Sequence, residues 1–196
     1  MDPKTRFRRS LRERRRLLDE AERRAAARAL VGRLCRHPLL RRARHLALYY
    51  PHDGEIDPTG LVEEAWRQGK RVYLPVLWPL GGRRLRFAPL APDSRWVRNR
   101  YGIPEPLAPA RALRPAARLD LIVLPLVAAD PRGHRLGMGG GYYDRSLAFL
   151  RRRRGWHRPR LLGAAYHFQL VRALPADPWD VQLDGLVTDQ AVIACR

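Results

Sequence analysis

Two rhythms of hydrophobic and polar positions run along the chain. Over residues 3–36, Leu11, Leu17, Leu18, Ala21, Ala25, Val31 and Leu34 recur at helical spacing, with Arg and Glu filling the rest. This predicts one long N-terminal helix, an arm that Pro38 keeps from running much further. Glu20 stands three and four residues before Arg23 and Arg24, which suits an exposed face. Short apolar runs follow. Residues 45–51 (HLALYYP), 71–77 (RVYLPVL), 84–90 (RLRFAPL), 160–166 and 185–193 predict strands. The run 119–128 (LDLIVLPLVA) is the most apolar and predicts a central strand buried on both faces. A helix is expected over 58–69, with Asp57 as N-cap and Pro58 at the first helical position. Another is expected over 142–154, turning Leu147, Leu150 and Phe149 inward. Gly81 and Gly82 mark a turn, and the Pro- and Arg-rich stretch 91–118 reads as irregular. Strand, helix and strand joined by short loops indicate a parallel βαβ unit. The expected architecture is a single α/β domain over 1–196, a mostly parallel Rossmann-like sheet flanked by helices, with the arm at 3–36.

Composition narrows the class. A chain of 196 residues buries a sizeable core without disulfides or structural metal. No apolar run approaches the roughly 20 residues that span a bilayer, so no membrane partner is expected. The basic N-terminus lacks the apolar region of a secretory signal, and Asp2, Glu13, Asp19, Glu20 and Glu22 are unlike a transit peptide; a cytoplasmic location is expected. Cys35 and Cys195 belong to no CxxC or Cys/His cluster and read as buried, inert thiols. The formal charge of +20 is nearly all arginine, since Lys4 and Lys70 are the only lysines. Such a surface suits either nucleic acid or a solvated exterior around a small anion site. No aromatic stacking motif, zinc finger or basic zipper is present, which favours the second reading, without a nucleic-acid partner.

The candidate chemistry lies between the central strand and the helix expected after it, in DPRGHRLGMGGG, residues 130–141. Ligands of open α/β sheets bind beyond the carboxyl ends of strands, and a helix N-terminus there offers free amides to phosphate. Gly137, Gly139, Gly140 and Gly141 permit the close backbone approach of an anion nest. Arg135 and Arg145 flank it with guanidinium donors, and Asp144 falls in the first helical turn, where it suits Mg²⁺ beside phosphates. The segment is neither a Walker A loop nor a GxGxxG fingerprint.

The stretch LPLVAADPRGHRLGMGGGYYDRSLA closely resembles the signature of the 5-formyltetrahydrofolate cyclo-ligase family. The resemblance extends, in the family's order, through KTRFRRSLRERRR, ALYYPHDGEID, GKRVYLPVL, YGIPEP and FQLVRALPADPWDVQLDGLVTD. It implies an enzyme that converts 5-formyltetrahydrofolate and MgATP to 5,10-methenyltetrahydrofolate, ADP and phosphate; a monomer is expected. The formyl oxygen attacks the γ-phosphate, and N10 then closes the ring. It assigns ATP to Lys4, Thr5, Arg6, Phe7 and Arg8 and to Arg135, Leu136, Gly137, Met138, Gly139, Gly140, Gly141, Tyr142 and Tyr143. It assigns folate to Tyr50 and Glu55, with Met138, Gly139, Gly140, Gly141 and Tyr142 facing it too, and Mg²⁺ to Asp144 and Asp184. Arg135 and Arg145 are the expected catalytic cations. The sequence departs from the pattern at Met138, where Tyr or a basic residue is common, at Ala129 in place of a frequent Phe, and at His167, which reads as a structural histidine. Two alternatives remain at this stage. One is a basic nucleic-acid-binding module on the same fold; the other is a related ATP-dependent enzyme with a different formyl or carboxylate substrate.

Overall fold

A computed structural model describes residues 2–78, 82–152 and 158–195. The expected arm is two helices, α1 (Pro3–Leu17) and α2 (Glu20–Arg36). Leu18 is extended, and Asp19 opens α2 with a reciprocal capping box: its side chain accepts from the Glu22 N–H while Glu22 accepts from the Asp19 N–H. The apolar periodicity runs through this break, but the cap competes with it and wins locally. Leu17, expected on the apolar stripe, is exposed. The Glu20–Arg24 pair forms as expected. Pro38 does more than stop α2: it begins a short helix, α3 (Pro38–Arg42), capped by His37.

The strands are β1 (His45–Ala47), β2 (Arg71–Leu77), β3 (Leu85–Leu90), β4 (Trp96–Arg98), β5 (Pro104–Pro106), β6 (Leu121–Pro125), β7 (Ala128–Ala129), β8 (Arg135–Leu136), β9 (Arg160–Ala165), β10 (Gly185–Thr188) and β11 (Val192–Ala194). The main sheet runs β11-β10-β9-β6-β1-β2-β3. Its five inner strands are parallel, and β3 and β11 close the two edges antiparallel. The run 185–193 is thus a strand, a turn and part of a second strand. Two small hairpins, β4–β5 and β7–β8, stand apart from the sheet; the first lies inside the stretch expected to be irregular.

The helix expected over 58–69 is shorter, α4 (Leu61–Arg67), with Gly60 at its N-cap. Asp57 instead accepts from the Thr59 N–H and holds a turn ahead of the helix. The helix expected over 142–154 is α5 (Tyr142–Leu147), continued as a 3₁₀ turn over Ala148–Arg152; Arg153 and Arg154 lie outside the described residues, as does Gly81 of the expected turn. Leu147 is buried, with Phe149 and Leu150 packed beside it.

Successive strand residues point to opposite faces, so each face has its own core. Leu46, Val72, Leu74, Leu121, Val123 and Leu162 pack with Leu30, Leu34, Leu40, Leu61 and Ala65 of α2, α3 and α4. Ala47, Tyr73, Ile122, Leu124 and Leu161 pack with Phe87, Leu119 and Leu147 on the other face. The cysteines are half-buried rather than buried, and both are free; desolvation pushes the Cys195 thiol up to about 11, which fits inertness. Among the described residues no helix is long and apolar enough to cross a membrane.

Candidate active site

Strand order fixes where a ligand sits. From β1 the chain moves to β2 and β3 on one side, then crosses back to β6, β9 and β10 on the other. The reversal lies between β1 and β6, and in open α/β sheets ligands bind beyond the carboxyl ends of the strands at such a point. β1 delivers Tyr50 and Glu55 to it; β6 delivers the β7–β8 hairpin and the glycine loop.

The turn after β1 is tight. Asp53 and Gly54 both have positive φ, 53° and 74°, and the Glu55 N–H closes on the His52 carbonyl at 3.1 Å. Glu55 in turn accepts from the His52 N–H. Its side chain retains some surface but is heavily dehydrated, and this desolvation raises its pKa to about 7 against the favourable charge of Arg15 and the His52 hydrogen bond. Tyr49 and Tyr143 share this dehydrated region; burial raises both phenols, with Glu55 adding to each. Tyr50 is half-exposed and meets the Trp96 ring edge-on at 5.9 Å.

Gly141 takes a left-handed conformation, φ 67°, and starts α5. A Cβ there would meet the Arg145 guanidinium at 2.6 Å. From Gly137 to Asp144 the backbone N–H groups have no protein acceptor among the described residues. Such a run of open amides is what an anion requires. Arg145 folds back onto the Gly140 carbonyl at 2.9 Å. Tyr142 receives the Arg100 guanidinium on its hydroxyl, which also lies 3.0 Å from the Tyr101 hydroxyl. These contacts, Tyr101 first, lower the Tyr142 pKa despite some desolvation.

Helix α1 lies across both halves. Arg8 donates to the Gly137 carbonyl at 2.9 Å. Phe7 and Leu11 pack on Val127, Ala128, Leu136 and Leu174 of the hairpin region. Arg12, Arg15 and Arg16 all converge on the Asp53 carboxylate, at 2.8, 2.9 and 2.5 Å, and keep it below the usual carboxylate range despite its partial burial. Lys4 reaches across to Asp177 and lies 3.7 Å from Asp180. That contact raises the Lys4 pKa.

Arg135 links the loop to the C-terminal segment. It donates to the Val181 carbonyl and, at 2.5 Å, to Asp144. Asp184, three residues beyond Val181, caps the start of β9: one oxygen accepts from the Leu161 N–H at 2.6 Å, and the other forms an ion pair with the Arg160 guanidinium at 3.1 Å. Among the described residues no three His, Cys, Asp or Glu side chains form a metal-holding group. Helix α1 thus ties the glycine loop, through Arg8 and Gly137, to the turn that carries Glu55, through Arg15 and Asp53, and Arg135 ties the loop to Asp144, whereas Asp184 sits at the amino end of β10. His167 hydrogen-bonds Thr188 Oγ1 at 3.2 Å. Sequence reasoning missed Arg15, Asp53, Trp96, Arg100 and Tyr101. Only Asp53-Gly54, a turn dipeptide, carried a local signal.

The 5-formyltetrahydrofolate cyclo-ligase family model matches residues 1–189. The Escherichia coli K12 protein named 5-formyltetrahydrofolate cyclo-ligase is 40% identical over 184 residues, 93% of this chain and 98% of that one. The solved 5,10-methenyltetrahydrofolate synthetase of Aquifex aeolicus superposes with a TM-score of 0.81 at 32% identity, covering 98% of this chain and 93% of that one. A Mycoplasma pneumoniae synthetase of the same name shares the fold, with a TM-score of 0.74 at 23% identity, covering 96% of this chain and 99% of that one.

Proposed function

The chain belongs to the 5-formyltetrahydrofolate cyclo-ligase family and is an enzyme of that kind, and from this premise we propose that its crevice closes 5-formyltetrahydrofolate to 5,10-methenyltetrahydrofolate with ATP and Mg²⁺. One observation carries the reading: a run of open loop amides and a dehydrated carboxylate are both held by helix α1, after the strands between which the order reverses.

Folate binds against Tyr50 and Glu55, whose carboxylate accepts from the pterin amino and ring N–H groups. ATP lies along the glycine loop, its phosphates taking the open amides and the cations of Lys4, Arg8 and Arg135. The formyl oxygen displaces ADP from the γ-phosphorus. N10 then attacks the activated formyl carbon, and phosphate leaves with the former formyl oxygen. Phosphoryl transfer of this kind asks for alignment and charge neutralisation, which the glycine amides and the cations of Lys4, Arg8 and Arg135 suit. Asp144 fits a Mg²⁺ ligand once a nucleotide phosphate has drawn Arg135 away, phosphate oxygens and water completing the shell. Mg²⁺ would supply charge neutralisation to the nucleotide phosphates. Asp184 joins that shell only by giving up Arg160.

The test is to mix the protein with 5-formyltetrahydrofolate and MgATP, following the methenyl absorbance and ADP together. One ADP per methenyl product supports the reading. ADP release with other formyl or carboxylate compounds, and none with 5-formyltetrahydrofolate, would move it to a different substrate. A folded protein giving neither signal overturns it.

A further inference from the structure

Arg15 is a wholly buried arginine on a helix that is otherwise mostly exposed. Its Nε donates to the Asp53 carbonyl at 2.8 Å and its Nη2 to the Asp53 carboxylate at 2.9 Å. Nη2 also lies 4.0 Å from the Met138 sulfur. The remaining nitrogen, Nη1, is buried without a partner among the described residues. A buried charge left partly unsatisfied is costly, so this placement needs a reason beyond stability. Gly54 supplies a second observation: a Cβ there would come within 3.3 Å of the Arg15 carbonyl, so the helix backbone is seated directly on the turn.

The two ends of α1 have different duties under the proposed function, on which this inference rests. Lys4 and Arg8 serve the nucleotide side, while Arg12, Arg15 and Arg16 grip the turn that carries Glu55. Fifteen residues make a rod about 22 Å long. The extended Leu18 breaks that rod from α2, with the Arg23 guanidinium on the Arg16 carbonyl as a polar tie between them. Its apolar anchorage is slight, since Leu11 is its one buried hydrophobic residue. A rod held weakly by packing and firmly by polar contacts at both ends transmits order between them.

We infer that Arg15 is a positioning residue that couples the two ligand sites: through its fork on Asp53, nucleotide bound at the start of α1 steadies the folate turn, and folate steadies the arm. Arg15 touches neither ligand. Its loss leaves both sites present but independent. The fork is the coupling element because it is the only α1 contact among the described residues that holds both the backbone and the side chain of the turn.

The experiment measures the Kd of 5-formyltetrahydrofolate with and without a non-hydrolysable ATP analogue plus Mg²⁺. In wild-type protein the analogue tightens folate about 5-fold or more, within the usual range of coupling between sites. In Arg15→Met the ratio falls to about one, and Asp53→Asn, an exchange that tolerates the left-handed backbone, does the same from the other side of the fork. Arg24→Met, on α2, keeps the wild-type ratio. A purely structural Arg15 would lower the melting temperature and leave the ratio intact, and that result overturns the inference. So does a wild-type ratio of one with both ligands bound, which leaves the proposed function standing. Folded wild-type protein that binds neither ligand overturns both. Should Arg15→Met fail to fold, Asp53→Asn decides.

Discussion

Replacing Glu55 with Gln should make the empty protein more stable and less able to hold folate. Desolvation lifts the Glu55 pKa from an ordinary 4.5 to about 7, although Arg15, Arg12 and the His52 N–H all favour the ionised form; Asp53 nearby opposes it. A folded-state pKa above the unfolded one means that the native protein holds the proton more tightly. The contribution of Glu55 to stability is then greatest below about pH 4.5, falls as pH rises through that value toward 7, and levels off above it. The span from 4.5 to about 7 corresponds to a ceiling of about 3 kcal/mol at pH 8. For a chain of this length that is roughly 6–12 °C in melting temperature. Glutamine keeps an acceptor for the His52 N–H and removes the buried charge. Thermal melts of wild type and Glu55→Gln from pH 4 to 8 should therefore coincide at the acid end and separate steadily above it, the variant melting higher. Folate affinity of the wild type should rise across the same interval, as the carboxylate ionises, and stay flat and weak in the variant. A variant that melts at or below wild type at pH 8, or a gap independent of pH, would refute the reasoning.

Two further expectations use other parts of the molecule. Gly133→Ala should destabilise by about 2–4 kcal/mol, because φ is 85° and the new Cβ would come within 2.6 Å of the Leu183 carbonyl; an unchanged denaturant midpoint would remove that clash from the account. Asp144→Ala should raise the Mg²⁺ concentration needed for turnover while the fold survives, since Asp144 is 38% exposed and its main partner is Arg135; near-wild-type turnover at limiting Mg²⁺ would take Asp144 out of the metal role.

The parallel strands were legible because their signal is local. Residues 71–77 are a strand end to end, and the most apolar run contains the buried β6. Helix limits were harder. Asp19 and Glu22 already spelled a capping box, yet the apolar period continued across it, and neither signal outranks the other in one dimension. Asp57-Pro58 looked like a helix start, but Thr59-Gly60 allowed a turn first. At the site, the glycine loop was visible because amide-rich loops need a particular composition. The β4–β5 hairpin was not: Trp96 meets Tyr50 and Arg100 meets Tyr142 across 46 and 42 residues of chain, and no local pattern marks such pairs. Arg15 was one arginine in a run of three, and only its burial sets it apart.

Lys4 on Asp177 and Arg135 on Asp144 show a site that has already neutralised itself. Two of the cations proposed for the triphosphate, Lys4 and Arg135, arrive with an internal stand-in for it, while Arg8 rests on the Gly137 carbonyl. An arriving ion must therefore offer more than a single negative charge, or it merely trades places with a carboxylate at equal worth. A singly charged anion gains little from these two cations, whereas a triphosphate reaches both at once and leaves two carboxylates seeking a counter-ion. Entry of the nucleotide would thus create the demand for a divalent metal, and the metal would arrive with the nucleotide or after it.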